Sequence, residues 1–543
     1  MKERMQNQES EPVNPLLYLL VFTSGFTVML VEISAPRILG PFFGTSAHVW
    51  TSVIGVILAA LSIGYYVGGR IADRRPSPAL LAVIVMWGGA VTALSPVLAP
   101  WFGYWIMPAG LGLGQVYTLL RLGSLATAAC IFFLPALLLA MVGPFTIRCI
   151  TARDKVGRSA GTVFALGTVG SILGTFLPTF LLIPWIGSRA TVLVATALLT
   201  LVAILVYVVH RRRVVPAIPA ILLIAAAMVV VGITPIRDKQ NGEDWFEEGE
   251  SPYQYVRVSS TRVNGDEYLR LQVNEPVSDY HSLWIPGRLL TGKYFDHFAL
   301  LPRLLPVPAT GGRKLSVLIL GLAGGVISRQ YHTFFPDRLD IIDGVEVDPL
   351  VVHFARRHFE LDAEHHPHLA VHLLDGRLFL KTCGEKYDIV IVDAYTHQIY
   401  LPPHMSTVSF FEETRRVLRP GGILALNASS YNPGIGLVPR LVNTLARAFG
   451  EAFMAESCPG NYILFAFKDR RDAWPPSSGP SDFIPEPLAP LWARFTALHA
   501  VLRFHDDPDA QVFTDDDCPV EILASQDLAL TAARYSSTQP RHP

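Results

Sequence analysis

Charge is what this chain has least of. Across 543 residues only 16% are Asp, Glu, Lys or Arg, while 51% are hydrophobic. Soluble domains carry about 25% charge, so part of the chain must be built for an apolar solvent. The formal net charge of −1 leaves no basic excess and gives no reason to expect a nucleic-acid partner. Cysteine is scarce too. Cys130, Cys149, Cys383, Cys458 and Cys518 are scattered, with no CxxC pair and no metal-ligand spacing. Neither a disulfide framework nor a metal site is expected. The opening MKERMQNQESEPVNP is polar, mixed in charge and without a cleavage site, so no signal peptide is expected.

What is present, from about residue 15 to 233, is sequence suited to lipid. Apolar stretches lie near 15–36, 49–69, 79–101, 122–145, 163–185, 190–209 and 215–233. Each is about 20 residues, enough for a helix to cross a hydrocarbon core of roughly 30 Å. Residues 1–235 therefore read as a multi-pass domain of about seven helices in the cell membrane, with the bilayer as partner. The loops GGRIADRRPSP, RCITARDKVGR and HRRRVVP are basic, and the alternate loops carry almost no charge. Basic loops stay in the cytoplasm. That rule puts the N-terminus inside and, after seven passes, the C-terminal half outside. Glu32 within the first stretch needs a partner in lipid, and Arg37 near the end of that stretch is the candidate for an ion pair within the bundle.

Polar sequence returns at PIRDKQNGEDWFEEGESPYQ. Residues 236–310 read as a linker and small β-region, 311–530 as a Rossmann-like α/β domain, and 531–543 as a disordered tail. QYVRVSSTRV and YLRLQVN form a hairpin around the turn NGDE. Strand and helix then alternate from LSVLILG to PGGILALNAS, which implies a parallel sheet covered on both faces. Ligands in such sheets sit beyond the carboxyl ends of the strands.

Four successive strand ends carry ligand-type residues. Gly321, Gly324 and Gly325 follow the first, where missing Cβ atoms let a ligand approach the backbone. Glu346 ends the second, where a carboxylate can accept both hydroxyls of a ribose. Asp375 and Gly376 end the third, placed for an adenine amino group, and Asp393 ends the fourth, beside the reacting centre. Asp348, before Pro349, is instead a helix cap. Together with LRPGGILALN the set points to a nucleoside of the S-adenosylmethionine type. NAD is disfavoured because GLAGGV lacks the GxGxxG order.

These stretches resemble the polyamine aminopropyltransferase (spermidine synthase) family, and in particular its bacterial branch fused to a multi-span membrane domain. ESPYQYVRV is similar to the family's entry hairpin, GVEVDPLVV, LLDGRLFL and YDIVIVDAY to its nucleoside strands, and FTDDDCPVE to the branch's tail. VEISAPRILGPFFGTS, GYYVGGRIADRRPS and GSILGTFLPTFLLIPWIG look like that branch's membrane half. The resemblance implies aminopropyl transfer from decarboxylated S-adenosylmethionine, a co-substrate, to putrescine or a related small amine, with no permanently bound cofactor and a homodimer as the family's usual assembly. It implies Asp393 as the catalytic carboxylate, Tyr395 or Tyr280 as helper, Glu346 on the ribose, Asp375 on the adenine and Gln254 lining the donor site. AYTHQIYLPPH would cover the pocket. Two departures stand out. Gly324 occupies the place of the family's acidic residue in the glycine turn, and Thr396 that of a second gate aspartate, leaving Asp296 or His397 to compensate. Two other classes remain open: a methyltransferase-like enzyme on the same scaffold, and a nucleoside-sensing or transport protein.

Overall fold

The computed structural model describes residues 15–107, 119–151, 156–211, 215–240, 242–274, 280–305, 313–395, 401–469, 484–497 and 500–538. Two compact units divide the chain. The first comprises most of the chain up to Asp238 together with Glu250–Tyr255, and the second holds Lys239–Gly249 and the chain from Val256 onward.

The first unit is helical: α1 (Pro15–Phe43), α2 (Ala47–Arg74), α3 (Pro78–Ile106), α4 (Ser124–Ala140), α5 (Val142–Ile150), α6 (Val156–Leu177), α7 (Ile183–Arg211) and α8 (Ile218–Ile233). They supply six apolar stretches long enough to cross a membrane, where about seven were expected. The difference lies in the longest, Val156–Arg211, whose 56 residues are continuous except at Gly187, with φ 76° and ψ 166°. As one straight helix this stretch would run about 84 Å, far beyond a bilayer core. The break at Gly187 instead lets α6 and α7 both pack against α1. Where the helix restarts, Glu250 caps it. The Ser188 N–H donates to Glu250 Oε2 at 2.8 Å, and the Ser188 hydroxyl donates to Oε1. Arg37 pairs with this same Glu250 at 3.7 Å, and not with Glu32 as the sequence suggested. It also donates to the carbonyls of Ser251, at 3.1 Å, and Pro252.

Glycine sets the contact between α1 and α6. A Cβ on Gly170 would stand 2.1 Å from the Phe22 carbonyl oxygen, and one on Gly174 2.2 Å from that of Phe26. Two helices approach this closely only where the side chain is absent.

In the second unit, β1 (Glu243–Glu250), β2 (Tyr255–Val263), β3 (Asp266–Val273) and β4 (Ser282–Trp284) form a four-stranded sheet in that order. The β2–β3 turn places Asn264 at φ 52° and Gly265 at φ 92°, the left-handed pair that a tight hairpin needs. The main sheet has eight strands: β5 (Leu315–Leu320), β6 (Leu339–Glu346), β7 (Leu369–Leu373), β8 (Tyr387–Val392), β9 (Leu418–Ser429), β10 (Glu451–Cys458), β11 (Asn461–Phe467) and β12 (Val501–His505). Their order is β12-β10-β11-β9-β8-β5-β6-β7. Strands β5 to β9 run parallel, and β10 to β12 add antiparallel pairs at one edge. Strands β5 and β8 are buried throughout, as continuous apolar runs require. Helices α9 (Phe295–Phe298), α10 (Leu301–Leu304), α11 (Val326–Phe334), α12 (Pro349–His358), α13 (Gly376–Thr382), α14 (Val408–Val417), α15 (Leu437–Phe449), α16 (Ala489–Phe495) and α17 (Val520–Thr538) complete the unit. Helix α17 extends to Thr538, into the segment expected as a disordered tail from 531.

Candidate functional site

The carboxyl ends of β5, β6, β7 and β8 lie side by side, and the turns that follow them are stitched together. The Asp393 N–H donates to the Leu320 carbonyl at 2.8 Å. Gly321, at φ 93°, could carry no side chain here, because a Cβ would lie 2.4 Å from the Asp393 carbonyl oxygen. The first glycine of the turn therefore serves the neighbouring strand end. Gly325, at φ 75°, leads into α11. Gly324 donates its N–H to Ser282 Oγ at 3.1 Å, and a Cβ on it would lie 2.8 Å from that oxygen and 2.9 Å from Phe359. Ser282 and Phe359 thus fill the space that an acidic residue at this position would need.

Glu346 binds the tips of β5 and β6 together. Its Oε2 accepts the Ala323 N–H at 3.1 Å, and its Oε1 accepts the Asp348 N–H at 3.1 Å. Burial pushes its pKa up to about 6, against the opposing pull of these backbone donors. Each oxygen keeps a lone pair for a further donor. Asp348 accepts the Leu350 N–H at 2.9 Å and caps α12, as the sequence indicated.

Asp375 caps α13 through the Leu378 N–H at 3.0 Å, and its other oxygen meets His404 Nε2 at 2.9 Å. The His404 bond is the main reason its pKa lies below the ordinary value. Gly376 lets Met405 approach, since a Cβ would lie 2.9 Å from the Met405 methyl. Next to it, Arg377 binds Glu413 at 3.0 Å and Asp515 at 2.8 Å. The acidic run TDDDCPVE is accounted for by such pairs, with Asp517 on Arg440.

Asp393 is the most perturbed carboxylate of the group. Burial pushes its pKa up to about 7, against the opposing pull of the Tyr294 hydroxyl and the nearby Asn427 amide. Its Oδ2 accepts from the Tyr294 hydroxyl at 3.1 Å. Its Oδ1 is shut off from solvent; the Asn427 side chain lies close enough to lower the carboxyl's pKa, but nothing among the described residues makes a hydrogen bond of full geometry to this oxygen. Sequence reasoning missed Tyr294. It stands 99 residues away in GKYFDHF, where nothing local separates it from a packing aromatic. The expected helpers sit differently. The Tyr395 hydroxyl donates to the Asn427 carbonyl at 2.9 Å. The Tyr280 ring lies 5.9 Å from that of Phe295, with the Lys293 ammonium 5.5 Å from its centroid.

Other expectations fall elsewhere. Asp296 is already tied down by four donors: it accepts from the Thr291 N–H and hydroxyl, the Gly292 N–H, and Gln330 Nε2 at 2.6 Å. It is not free to replace a missing carboxylate. Thr396, His397 and the middle of AYTHQIYLPPH lie outside the described residues. Gln254 belongs to the β1–β2 turn, its N–H on Ser251 Oγ at 3.0 Å, and that turn groups with the helical unit. Trp245 packs on His358, and Trp284 on Phe359 and Arg329. The His281 ring accepts the Val273 N–H at 3.3 Å.

A family model for the spermine/spermidine synthase domain matches residues 307–458. A probable polyamine aminopropyl transferase of Bifidobacterium longum (strain NCC 2705) is 30% identical over 297 residues, 51% of this chain. The match spans 61% of that relative. Polyamine aminopropyltransferase 2 of Aquifex aeolicus (strain VF5) is 21% identical over 427 residues, which cover 77% of this chain and 79% of the relative. Among solved structures, a probable spermidine synthase from Corynebacterium glutamicum ATCC 13032 aligns at a TM-score of 0.38 and 18% identity, covering 50% of this chain and 96% of the other.

Proposed function

We infer that this chain, whose C-terminal domain belongs to the spermine/spermidine synthase family, is a membrane-bound aminopropyltransferase that moves the aminopropyl group of decarboxylated S-adenosylmethionine onto putrescine or a related small amine. The observation that carries the reading is the Asp393 Oδ1, a buried carboxylate oxygen that nothing among the described residues meets in full hydrogen-bond geometry, on the strand end next to the glycine turn. A buried acceptor so placed invites a donor from a ligand. An amine supplies it. The substrate arrives as an ammonium with a pKa near 10, and Asp393 Oδ1 takes a proton from it. The freed nitrogen lone pair attacks the methylene carbon next to the sulfonium. The carbon–sulfur bond breaks, its electron pair stays on sulfur, and methylthioadenosine leaves. Glu346 would hold the ribose hydroxyls, Asp375 and Gly376 the adenine edge, and Gly321, Gly324 and Gly325 the nucleoside backbone. Tyr395 would support Asp393 from the neighbouring position, with its hydroxyl on the Asn427 carbonyl. No permanently bound cofactor, metal or nucleic acid enters the scheme. The helices would anchor the enzyme as a multi-pass protein in the cell membrane, as a homodimer.

Methyl transfer is the second reading. It is favoured by Ser282 and Phe359, which close the place where a carboxylate would grip the donor's cationic tail. Purified full-length protein, incubated with decarboxylated S-adenosylmethionine and putrescine, should release methylthioadenosine and an aminopropylated amine. S-adenosylhomocysteine, formed from S-adenosylmethionine, would replace this reading with the second. Binding of either nucleoside without turnover would favour a sensor.

A further inference from the structure

We propose that Glu32 is the centre of a monovalent-cation site in the middle of the helical unit, formed by its carboxylate, its own backbone carbonyl and hydroxyls of the neighbouring helix. The ligand is a small cation of single charge, an alkali ion or a primary ammonium. The site is separate from the transfer reaction and does not rest on it.

Glu32 stands close to the midpoint of the 29-residue α1, about 4.5 Å past it along the axis at 1.5 Å per residue. Helices α1 to α8 contain one other carboxylate, Asp73, which lies at a helix end and pairs with Arg148. A charge at mid-membrane depth is expensive, so an ionised group there must meet a partner. Among the described residues, none reaches the Glu32 carboxylate through a hydrogen bond or an ion pair. Arg37, the nearest cation on α1, is taken by Glu250 and by the Ser251 and Pro252 carbonyls. Glu32 is half-buried, so a ligand can still reach it. Pro36 adds a second oxygen. It lies inside α1 and has no N–H, so the Glu32 carbonyl, four residues earlier, lacks its α-helical donor. The neighbouring helix supplies further oxygens. A Cβ on Gly25 would stand 2.3 Å from the Gly167 carbonyl oxygen, and Ser171 Oγ donates to the Gly25 carbonyl at 3.3 Å. With Gly174 against Phe26, these contacts show α1 and α6 running parallel. Two turns on, Glu32 follows Gly25, and Pro178 follows Ser171. Pro178 opens a π-helical turn, Pro178–Leu182, that packs on α1. Such turns interrupt the regular bonding and are frequent at functional sites. In the row that starts at Ser171, the Thr175 and Thr179 hydroxyls each donate to the carbonyl four residues back at 2.9 Å, and each oxygen keeps lone pairs that can accept. The donor set is all oxygen, which suits a hard cation or an ammonium. It carries one negative charge, so a divalent ion would leave a net charge in hydrocarbon.

Full-length protein in detergent, treated with the apolar carbodiimide dicyclohexylcarbodiimide, should carry an adduct on Glu32 by peptide mass spectrometry. Sodium chloride or methylammonium chloride should slow that labelling by about tenfold or more relative to choline chloride at equal ionic strength, since choline is bulky and has no N–H to donate. Protection by sodium assigns the alkali ion, and protection by methylammonium assigns the ammonium. Equal labelling in all three salts, or no adduct on Glu32, would overturn the proposal. Pro36→Ala returns an N–H to the Glu32 carbonyl. The adduct should still form, while the half-protecting cation concentration rises about tenfold, as for one lost bond to a charged group. An unchanged concentration would reject the site as drawn. Glu32→Gln should lose the adduct altogether. All of these readouts are labelling rather than turnover. A protein that transfers nothing would therefore leave the test intact, and a failed test would leave the transfer reaction standing.

Discussion

Asp393 has two oxygens in unlike surroundings, and two predictions follow from that. As a general base it must be ionised, so kcat should rise with pH through about 7, the value to which burial pushes this group. Asp393→Asn should cut kcat by about 10²–10⁴-fold, the usual share of a positioned base, while calorimetry still detects nucleoside binding. The same raised pKa works against stability. Between the unfolded value near 4 and about 7 the folded chain holds this proton more tightly than the unfolded chain does. Its stability contribution is therefore full below pH 4 and is lost as pH rises through 7. Asp393→Asn should raise the melting temperature at pH 8 and leave it unchanged near pH 4. A melting curve that drops at pH 8 would show that the ionised carboxylate has a stabilising partner. For Glu346→Gln, the expected change is a nucleoside affinity about tenfold weaker with kcat less affected, read by titration calorimetry, since an amide replaces one acceptor oxygen with a donor. The positions of Glu346, Asp375 and Asp393 just past strand ends were legible because apolar runs mark the strands of a parallel sheet. Tyr294 and His404 were not, because each reaches its carboxylate from a distant segment through a contact that no local pattern encodes.

Elements were legible where one period ran unbroken. The apolar runs of β5 and β8 and the NGDE hairpin appear as the sequence predicts. Strand β1 did not announce itself. EDWFEEGE is dense in acid, and its charges are accommodated by partners such as the fully buried Arg257, whose guanidinium meets Glu243 at 2.5 Å and Glu248 at 3.4 Å. The long helical stretch was read as two passes because IPWIGSR interrupts it, and Gly187 is where the backbone breaks. The glycine seam of α1 and α6 makes the element-scale prediction. Gly170→Leu and Gly174→Val each drive a side chain into a backbone oxygen of α1 that cannot move aside. Both should lower the melting temperature in detergent sharply or prevent recovery of monodisperse protein. Gly157→Ala and Gly161→Ala, on the same helix with nothing within 4 Å, should be neutral or slightly stabilising. Equal tolerance of all four would show that α6 does not pack along this face.

At the scale of the molecule, the question is where the chain leaves the helical unit. Arg148, in the last turn of α5, pairs with Asp73, at the end of α2, at 3.2 Å, so two of the arginine-rich segments share one end. The other end gathers turns with few charges. Arg189, just past the Gly187 break, donates to the Thr234 and Pro235 carbonyls at 3.2 and 2.9 Å, where α8 stops. Tyr104, near the end of α3, accepts the Asp238 N–H at 2.5 Å. Helix α8 therefore returns alongside α7 from the end where Arg211 lies to the end poor in charge, and the chain exits there. Treating α8 as a segment that fails to cross, which would reconcile the charge rule with a cytosolic nucleoside, conflicts with these bonds. Basic loops remain in the cytoplasm, so a periplasm-competent phosphatase fused after Pro543 should be active, and a cytoplasm-only fluorescent reporter at the same point should be dark. The opposite pattern would mean that the charge rule fails for this bundle. The predicted pattern carries a consequence for chemistry: the nucleoside donor is made where methionine is activated, so an enzyme exposed on the far face needs its donor delivered across the bilayer. Intact cells supplied with external decarboxylated S-adenosylmethionine and putrescine should then release methylthioadenosine into the medium, and should stop doing so in Asp393→Asn.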